Sequence, residues 1–306
     1  MIFAFAFLVL FFSILNVSAF ALNNTNSTTD QEVKVAVYVL NLGKFDLSTG
    51  AFTADFYLSL KCENKCPQQD FEFMNGRAAS VDKIVDSPNE KFYRIQANLM
   101  SDVDLKKFPF DEQKMQIIIE DKKNNVEDLH YAIDEEETGI DPNVVFIGWK
   151  MGKPAASVRE HTYEVYNETY SQYVFTIPIY KIMLNSFVKT LLPVIFILLV
   201  MLSSFVLDPD KITTRLGMVG SALVASVMFH VSLANQVPPV SYLTFADKFM
   251  VLTYFVLVLS FIFNVLLLEL HERKLDNKVM KLHRATEFTM FILVPILYIL
   301  LFIFFF

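Results

Sequence analysis

Hydrophobic positions follow two unlike patterns along this chain. From residue 32 to residue 181, short alternating or β-branched runs are separated by turn residues. Runs at 33–40, 51–60, 92–100, 114–120, 144–149 and 173–179 predict strands. Gly43, Ser48-Thr49-Gly50, Ser87-Pro88-Asn89 and Asp141-Pro142-Asn143 predict turns between them. No long amphipathic helical period interrupts this region, so it predicts an all-β, immunoglobulin-like sandwich. Beyond it, four nearly continuous apolar runs lie at about 182–207, 212–233, 249–270 and 288–306. Each is close to the ~20 residues that cross a hydrocarbon core, and together (182–306) they predict a four-helix transmembrane bundle.

The second run is unlike the other three. Gly217, Gly220, Ser221, Ala222, Ala225, Ser226 and Ser232 dilute it with small or hydroxylated residues. A helix facing lipid all round gains nothing from them, whereas one crowding against copies of itself around water does. A membrane pore is therefore the first functional expectation.

A further apolar run, 1–18, ends in the small-x-small pattern Ala19-Phe20-Ala21. It reads as a secretory signal peptide over 1–21, the alternative being an uncleaved fifth helix. The polar stretch 22–31 then predicts a disordered tail. Arg273, Lys274, Lys278, Lys281 and Arg284 place the linker 269–287 in the cytoplasm, and the segment 234–247 has no Lys or Arg. The domain over 32–181 is then extracellular or periplasmic, on a multi-pass protein of the plasma membrane.

Composition adds less. The 306 residues are 54% hydrophobic with a formal charge of −7, which argues for a lipid bilayer and against nucleic acid as a partner. Carboxylates outnumber Lys and Arg before residue 182, which would either concentrate cations or serve solubility. The two cysteines, Cys62 and Cys66, predict a disulfide outside the cell, which requires a turn at Glu63-Asn64-Lys65. Without nearby histidines they do not make a zinc site. His130, His161, His230, His271 and His283 form no metal-ligand spacing, and no nucleophile motif appears. No enzyme, metal or cofactor is expected. Asn23, Asn26 and Asn167 begin glycosylation sequons.

Other residues carry a family resemblance. Lys107-Phe108-Pro109-Phe110-Asp111, followed by Gln113, places two aromatics around a proline between two predicted strands. Leu191-Leu192-Pro193 opens the first apolar run, Val145-Phe146-Ile147-Gly148-Trp149 follows the proline loop, and Tyr242-Leu243-Thr244 ends the outer linker that begins at Pro238. In that order these segments resemble the pentameric ligand-gated ion channels (the Cys-loop receptor superfamily), in the prokaryotic form that lacks the Cys-loop cysteines. The chain departs from the family between Leu60 and Phe92, which is short and has no Trp-x-Pro segment.

The resemblance implies a homopentamer that conducts inorganic ions under control of its outer domain. Matching Arg215 and Pro238 to the family pattern gives a pore stripe of Thr213, Gly217, Ser221, Val224, Met228 and Val231. Val224, Met228 and Val231 would then form a hydrophobic gate that dewets when narrow. Asp208, Asp210, Thr213, Thr214 and Arg215 are candidates for ion selectivity, leaning to cations. Phe108, Pro109, Phe110, Asp111 and Lys181 would meet Pro238, Tyr242 and Thr244 to couple the domains, with Asp111 and Lys181 as an ion pair. For an agonist, Tyr131, Tyr163, Tyr166, Tyr170 and Tyr173 fall at the family's interface binding loops and would suit a small cationic amine. Asp134, Glu135, Glu136, Glu137 and Asp141 would instead sense protons or a divalent cation such as calcium. His230 reads either as a pH sensor or as an interhelical hydrogen bond. The rival reading is a non-conducting membrane sensor or accessory subunit with the same fold.

Overall fold

In the computed structural model, residues 31–63, 65–66 and 70–305 are described. The signal peptide, the polar tail through residue 30, Asn23, Asn26 and the middle of the cysteine turn lie outside them.

Two sheets form the first part of the chain. One orders β4 (Gly76–Asp86), β5 (Glu90–Met100), β2 (Ala51–Cys62), β1 (Gln31–Leu42) and β7 (Leu129–Ile133), with β8 (Gly139–Ile140) also on β1. The other orders β10 (Ala155–Tyr163), β11 (Glu168–Tyr180), β6 (Glu112–Asp121) and β3 (Phe71–Phe73), with β9 (Lys150–Met151) on β11. Alternation explains the pairing of faces. Val33, Val35, Val37 and Val39 of β1 turn inward with Phe56 and Ile95, and meet Met115, Ile117, Phe175 and Ile177 of the other sheet in one core. Most neighbours are antiparallel, but β7 and β8 run parallel to β1.

One predicted strand is absent. Residues 144–149 form a loop, although Val144 and Phe146 are buried while Val145 and Ile147 are exposed. The alternation is real, but Asp141 accepts hydrogen bonds from the backbone and side chain of Asn143, and Gly148 takes φ +87°. Those turns at either end leave the segment no ladder partner.

Cys62 and Cys66 stand at disulfide distance, with Cα atoms 5.3 Å apart. Cys62 and Cys66 N–H donate to the carbonyls of Asn89 and Pro88, which holds the turn against the β4–β5 connection. Intact protein should therefore take up thiol reagent only after reduction. Replacing both cysteines with serine should cost about 2 kcal/mol in denaturant unfolding, the loop-closure entropy of so short a ring.

Four helices long and apolar enough to cross a membrane follow. We label them α1 (Met183–Val206), α2 (Ile212–Ala234), α3 (Phe245–Glu272) and α4 (Asp276–Phe305). Residues Phe187–Leu191 of α1 are π-helical. Two helices start earlier than the apolar runs predict. Thr244 and Asp247 form a reciprocal capping box that opens α3, and the basic linker shrinks to residues 273–275, where Lys274 takes φ +56°. Lys278, Lys281 and Arg284 therefore lie on the first turns of α4.

Candidate pore and coupling site

The helix α2 has two unlike faces. Ile212, Arg215, Val219, Ala222, Ser226 and Leu233 are buried against the rest of the bundle. Thr213, Gly217, Ser221, Val224, Met228 and Val231, spaced three or four apart, are all exposed on the side turned away from it. The three apolar members are widely so, at 60%, 70% and 59%. Thr214, Asp208 and Asp210 are exposed as well. Arg215 is the exception among the selectivity candidates. It is fully buried, with Nη1 3.2 Å from His283 Nδ1 on α4 and its guanidinium 5.3 Å from the Phe205 ring. Its side chain lies on the packed face of α2 and not on the exposed stripe.

The proline loop docks onto the outer end of α3. Phe245 and Ala246 N–H donate to the carbonyls of Lys106 and Phe108 at 2.8 and 3.1 Å, and Leu105 N–H donates to the Tyr242 hydroxyl at 2.9 Å. The first α3 turn would otherwise leave these N–H groups without acceptors. Phe108 is buried with Leu191 and Val194 in the helical core, and Phe110 packs on Phe245 at 6.0 Å. The Phe108–Pro109 peptide is cis. Pro238 is half-buried in the outer linker.

Lys181 sits under this loop. Its Nζ lies 3.4 Å from Asp111 Oδ1, 4.3 Å from the Phe108 ring and 5.2 Å from the Trp149 ring. Burial pulls the Lys181 pKa below the usual lysine value, and the Asp111 charge opposes that pull. Gln113 completes the knot, its amide donating to Asp111 Oδ2 and to the Asp104 carbonyl, both at 2.7 Å. Beside it opens a cleft of ≈ 510 Å³ whose walls include Trp149, Lys181, Lys189 and, just past the end of α2, Gln236. The β-domain and the outer end of α2 thus share one space.

The five tyrosines do not form one cluster. Tyr131 and Tyr173 are inside the sandwich core, at 5% and 0% exposure, and burial raises the pKa of both, Tyr173 to about 12. Neither reaches a ligand without opening the core. Tyr163 and Tyr170 pack edge-to-face at 5.7 Å on the β10–β11 hairpin, and Tyr166 is exposed at its tip beside Asn167. The sequence missed what this hairpin rests on. Glu120, whose side chain is 2% exposed, accepts from the Tyr163 hydroxyl at 2.9 Å, Gln172 Nε2 at 2.7 Å and His161 Nδ1 at 3.1 Å. Burial and the Glu120 bond raise the Tyr163 pKa to about 12, so that hydroxyl stays a donor at neutral pH. Tyr163→Phe should loosen the hairpin by about 1 kcal/mol, read as faster amide exchange in β10.

The acidic loop is not a metal cradle. Lys61 pairs with both Asp134 and Glu137, Asp141 caps its own turn, and Glu135 and Glu136 are exposed. Among the described residues, no group of three or more His, Cys, Asp or Glu could hold a metal ion. Lys61 already supplies a positive charge to two of these carboxylates. His230 makes the interhelical bond, with Nδ1 2.8 Å from the Tyr254 hydroxyl and Nε2 3.7 Å from Asp247.

A proton-gated ion channel of Gloeobacter violaceus (strain ATCC 29082 / PCC 7421) is 25% identical to this chain over 192 residues. The chain is a homologue of a proton-gated ion channel. The match covers 61% of this chain and 53% of that relative, so it spans about half of the relative's length. No protein-family model matches the chain. The relative is an ion channel rather than an enzyme, and a sheet-rich domain followed by four membrane-length helices accords with the pentameric ligand-gated resemblance.

Proposed function

We propose that this chain is the subunit of a pentameric ligand-gated-type ion channel, anchored in the plasma membrane with its β-domain outside. Five copies of α2 surround the pore. The observation that carries this reading is the exposed stripe of Thr213, Gly217, Ser221, Val224, Met228 and Val231, opposite the face that packs into the subunit's own bundle. A helix amphipathic in this sense, with small residues on its free side, needs further copies of itself to cover it. Val224, Met228 and Val231 form the gate, and Thr213, Thr214, Asp208 and Asp210 line the inner mouth. The channel passes cations in preference to anions, favoured by the acidic outer domain.

Gating force passes from the β-domain through Phe108 to Asp111 and Lys181 into the start of α3 and the end of α2. The stimulus is a proton or a small cationic molecule at the outer domain, with exposed Tyr166 and half-buried Tyr163 and Tyr170 as the aromatic surface. The printed function of the Gloeobacter relative makes the proton the first to try. Purified protein in liposomes under asymmetric salt tests this reading. An acid step outside should evoke current whose reversal potential follows the cation gradient, from particles with the mass of five chains. Five-chain particles that stay silent under every stimulus would support the sensor reading instead.

A further inference from the structure

Arg215 and His283 meet at the end of the membrane domain farthest from the sheets. Arg215 sits one turn into α2 and is completely buried. Its Nη1 lies 3.2 Å from His283 Nδ1, while its Nε and Nη2 are buried with no hydrogen-bond partner among the described residues. A guanidinium carries only donors and keeps its proton. Nδ1 of His283 must therefore be the acceptor. An imidazole that accepts at Nδ1 is neutral and carries its hydrogen on Nε2, and here Nε2 points toward Glu287 Oε2 at 4.0 Å.

The contact joins α2 to α4, a helix that packs chiefly on α3 and α1, so little else ties these two helices together directly. A proton added to His283 would remove the lone pair that Arg215 uses. It would also set a second positive charge beside a buried guanidinium and leave that guanidinium without its one hydrogen-bond partner among the described residues. Each effect acts against the contact, and in a site shielded from water each is large compared with its value on the surface. Glu287 on α4 and Asp208 in the turn before α2 attract an imidazolium, whereas Arg284 on α4 repels it. Arg215 is the nearest of these charges and shares the burial, so its repulsion decides the outcome.

We propose that Arg215 and His283 form a proton-operated clasp. Neutral His283 anchors the inner end of the pore helix to α4, and protonation of His283 from the inner face releases it. The clasp rests on the reading of α2 as pore-lining, and it gives the channel a control separate from any agonist at the β-domain. Both residues act as positioning residues, since neither touches the exposed stripe.

The test uses full-length protein in nanodiscs, with spin labels at Lys211→Cys and Lys281→Cys on chains diluted into unlabelled ones. Cys62 and Cys66, at disulfide distance, are kept oxidised and take no label. Between about pH 8 and about pH 4, a span that reaches below the ordinary imidazole range because burial and Arg215 disfavour the imidazolium, the short-distance population should fall by more than half. His283→Gln keeps a carbonyl acceptor but cannot titrate, so its distribution should stay at the short distance across that range. Glu287→Gln removes an attraction for the imidazolium and should move the wild-type transition to more acidic pH. An unchanged wild-type distribution would overturn the proposal, as would an equal shift in His283→Gln. The distance readout holds whether or not the protein conducts. Parallel currents with pH stepped on the inner face alone then report on the channel reading by themselves.

Discussion

Val224→Ser is expected to conduct in the absence of any agonist. In the proposed pore, five Val224 side chains ring the lumen one turn below Met228 and two turns below Val231. Each is among the most exposed apolar groups on its helix. A narrow apolar ring holds water out because the chain of hydrogen bonds that water needs cannot be completed there. A hydroxyl at each of five positions restores partners for that water without changing side-chain size much. A tenfold rise in spontaneous current corresponds to about 1.4 kcal/mol in the closed–open balance, and five new hydroxyls should exceed it. The control is Ala222→Ser. Ala222 is 4% exposed on the packed face, so the same chemistry there should perturb packing and leave the baseline current alone. Equal leaks from the two variants would mean that α2 has simply been loosened.

Asp111→Ala should be the most damaging single change at the domain junction. Asp111 is almost wholly buried, and it holds both Lys181 and the Gln113 amide. Removing it leaves a half-buried ammonium facing the Phe108 and Trp149 rings without a counter-charge. Breaking one side of a fully buried pair costs about 3–5 kcal/mol. Lys181 keeps 22% of its side chain in solvent, so screening reduces this to about 2 kcal/mol. Denaturant unfolding of the purified protein measures it. Adding Lys181→Gln to the variant should recover part of the loss, because the stranded charge is then gone. In channel recordings Asp111→Ala should also weaken the response to the outer stimulus while Val224→Ser, placed on top of it, still leaks. Such a pattern separates a severed coupling from a lost pore.

The membrane half of this fold was nearly all legible in sequence, because four long apolar runs leave few alternatives. What was misread there concerns helix ends. Thr244 and Asp247 start α3 by capping, a signal carried by two polar residues outside the apolar run. In the β-domain, strands with one buried face announced themselves, as β1 did through Val33, Val35, Val37 and Val39. Strands β4 and β10 did not, since nearly every residue of β4 is exposed and β10 has little more cover. An edge strand with both faces wet carries no period-two signal. The segment 144–149 shows the reverse failure, alternation without a partner strand.

At the site, the α2 stripe taken from the family is exposed on the subunit, and its lining a pore is the proposal made above. Arg215 could not be placed by type alone, because a basic residue there serves the lumen or the packed face equally well until His283 is located. Glu120 was passed over because one acid on a strand looks like a solvated face. Its partners, His161, Tyr163 and Gln172, come from a hairpin some forty to fifty residues on. Adjacent acids closing β6 after the apolar run Ile117-Ile118-Ile119, Glu120 and Asp121, were the available clue.

The most direct test of the central claim is cysteine accessibility along α2 during conduction. Thr213, Gly217, Ser221, Val224, Met228 and Val231 would each be replaced by cysteine, alongside Val219, Ala222 and Ser226 on the packed face. A charged, membrane-impermeant thiol reagent would then be applied to the open channel. The account predicts that modification at the six exposed positions blocks current and that the three packed positions show no effect. Block at the packed positions with none along the exposed stripe would mean that α2 does not line the ion path.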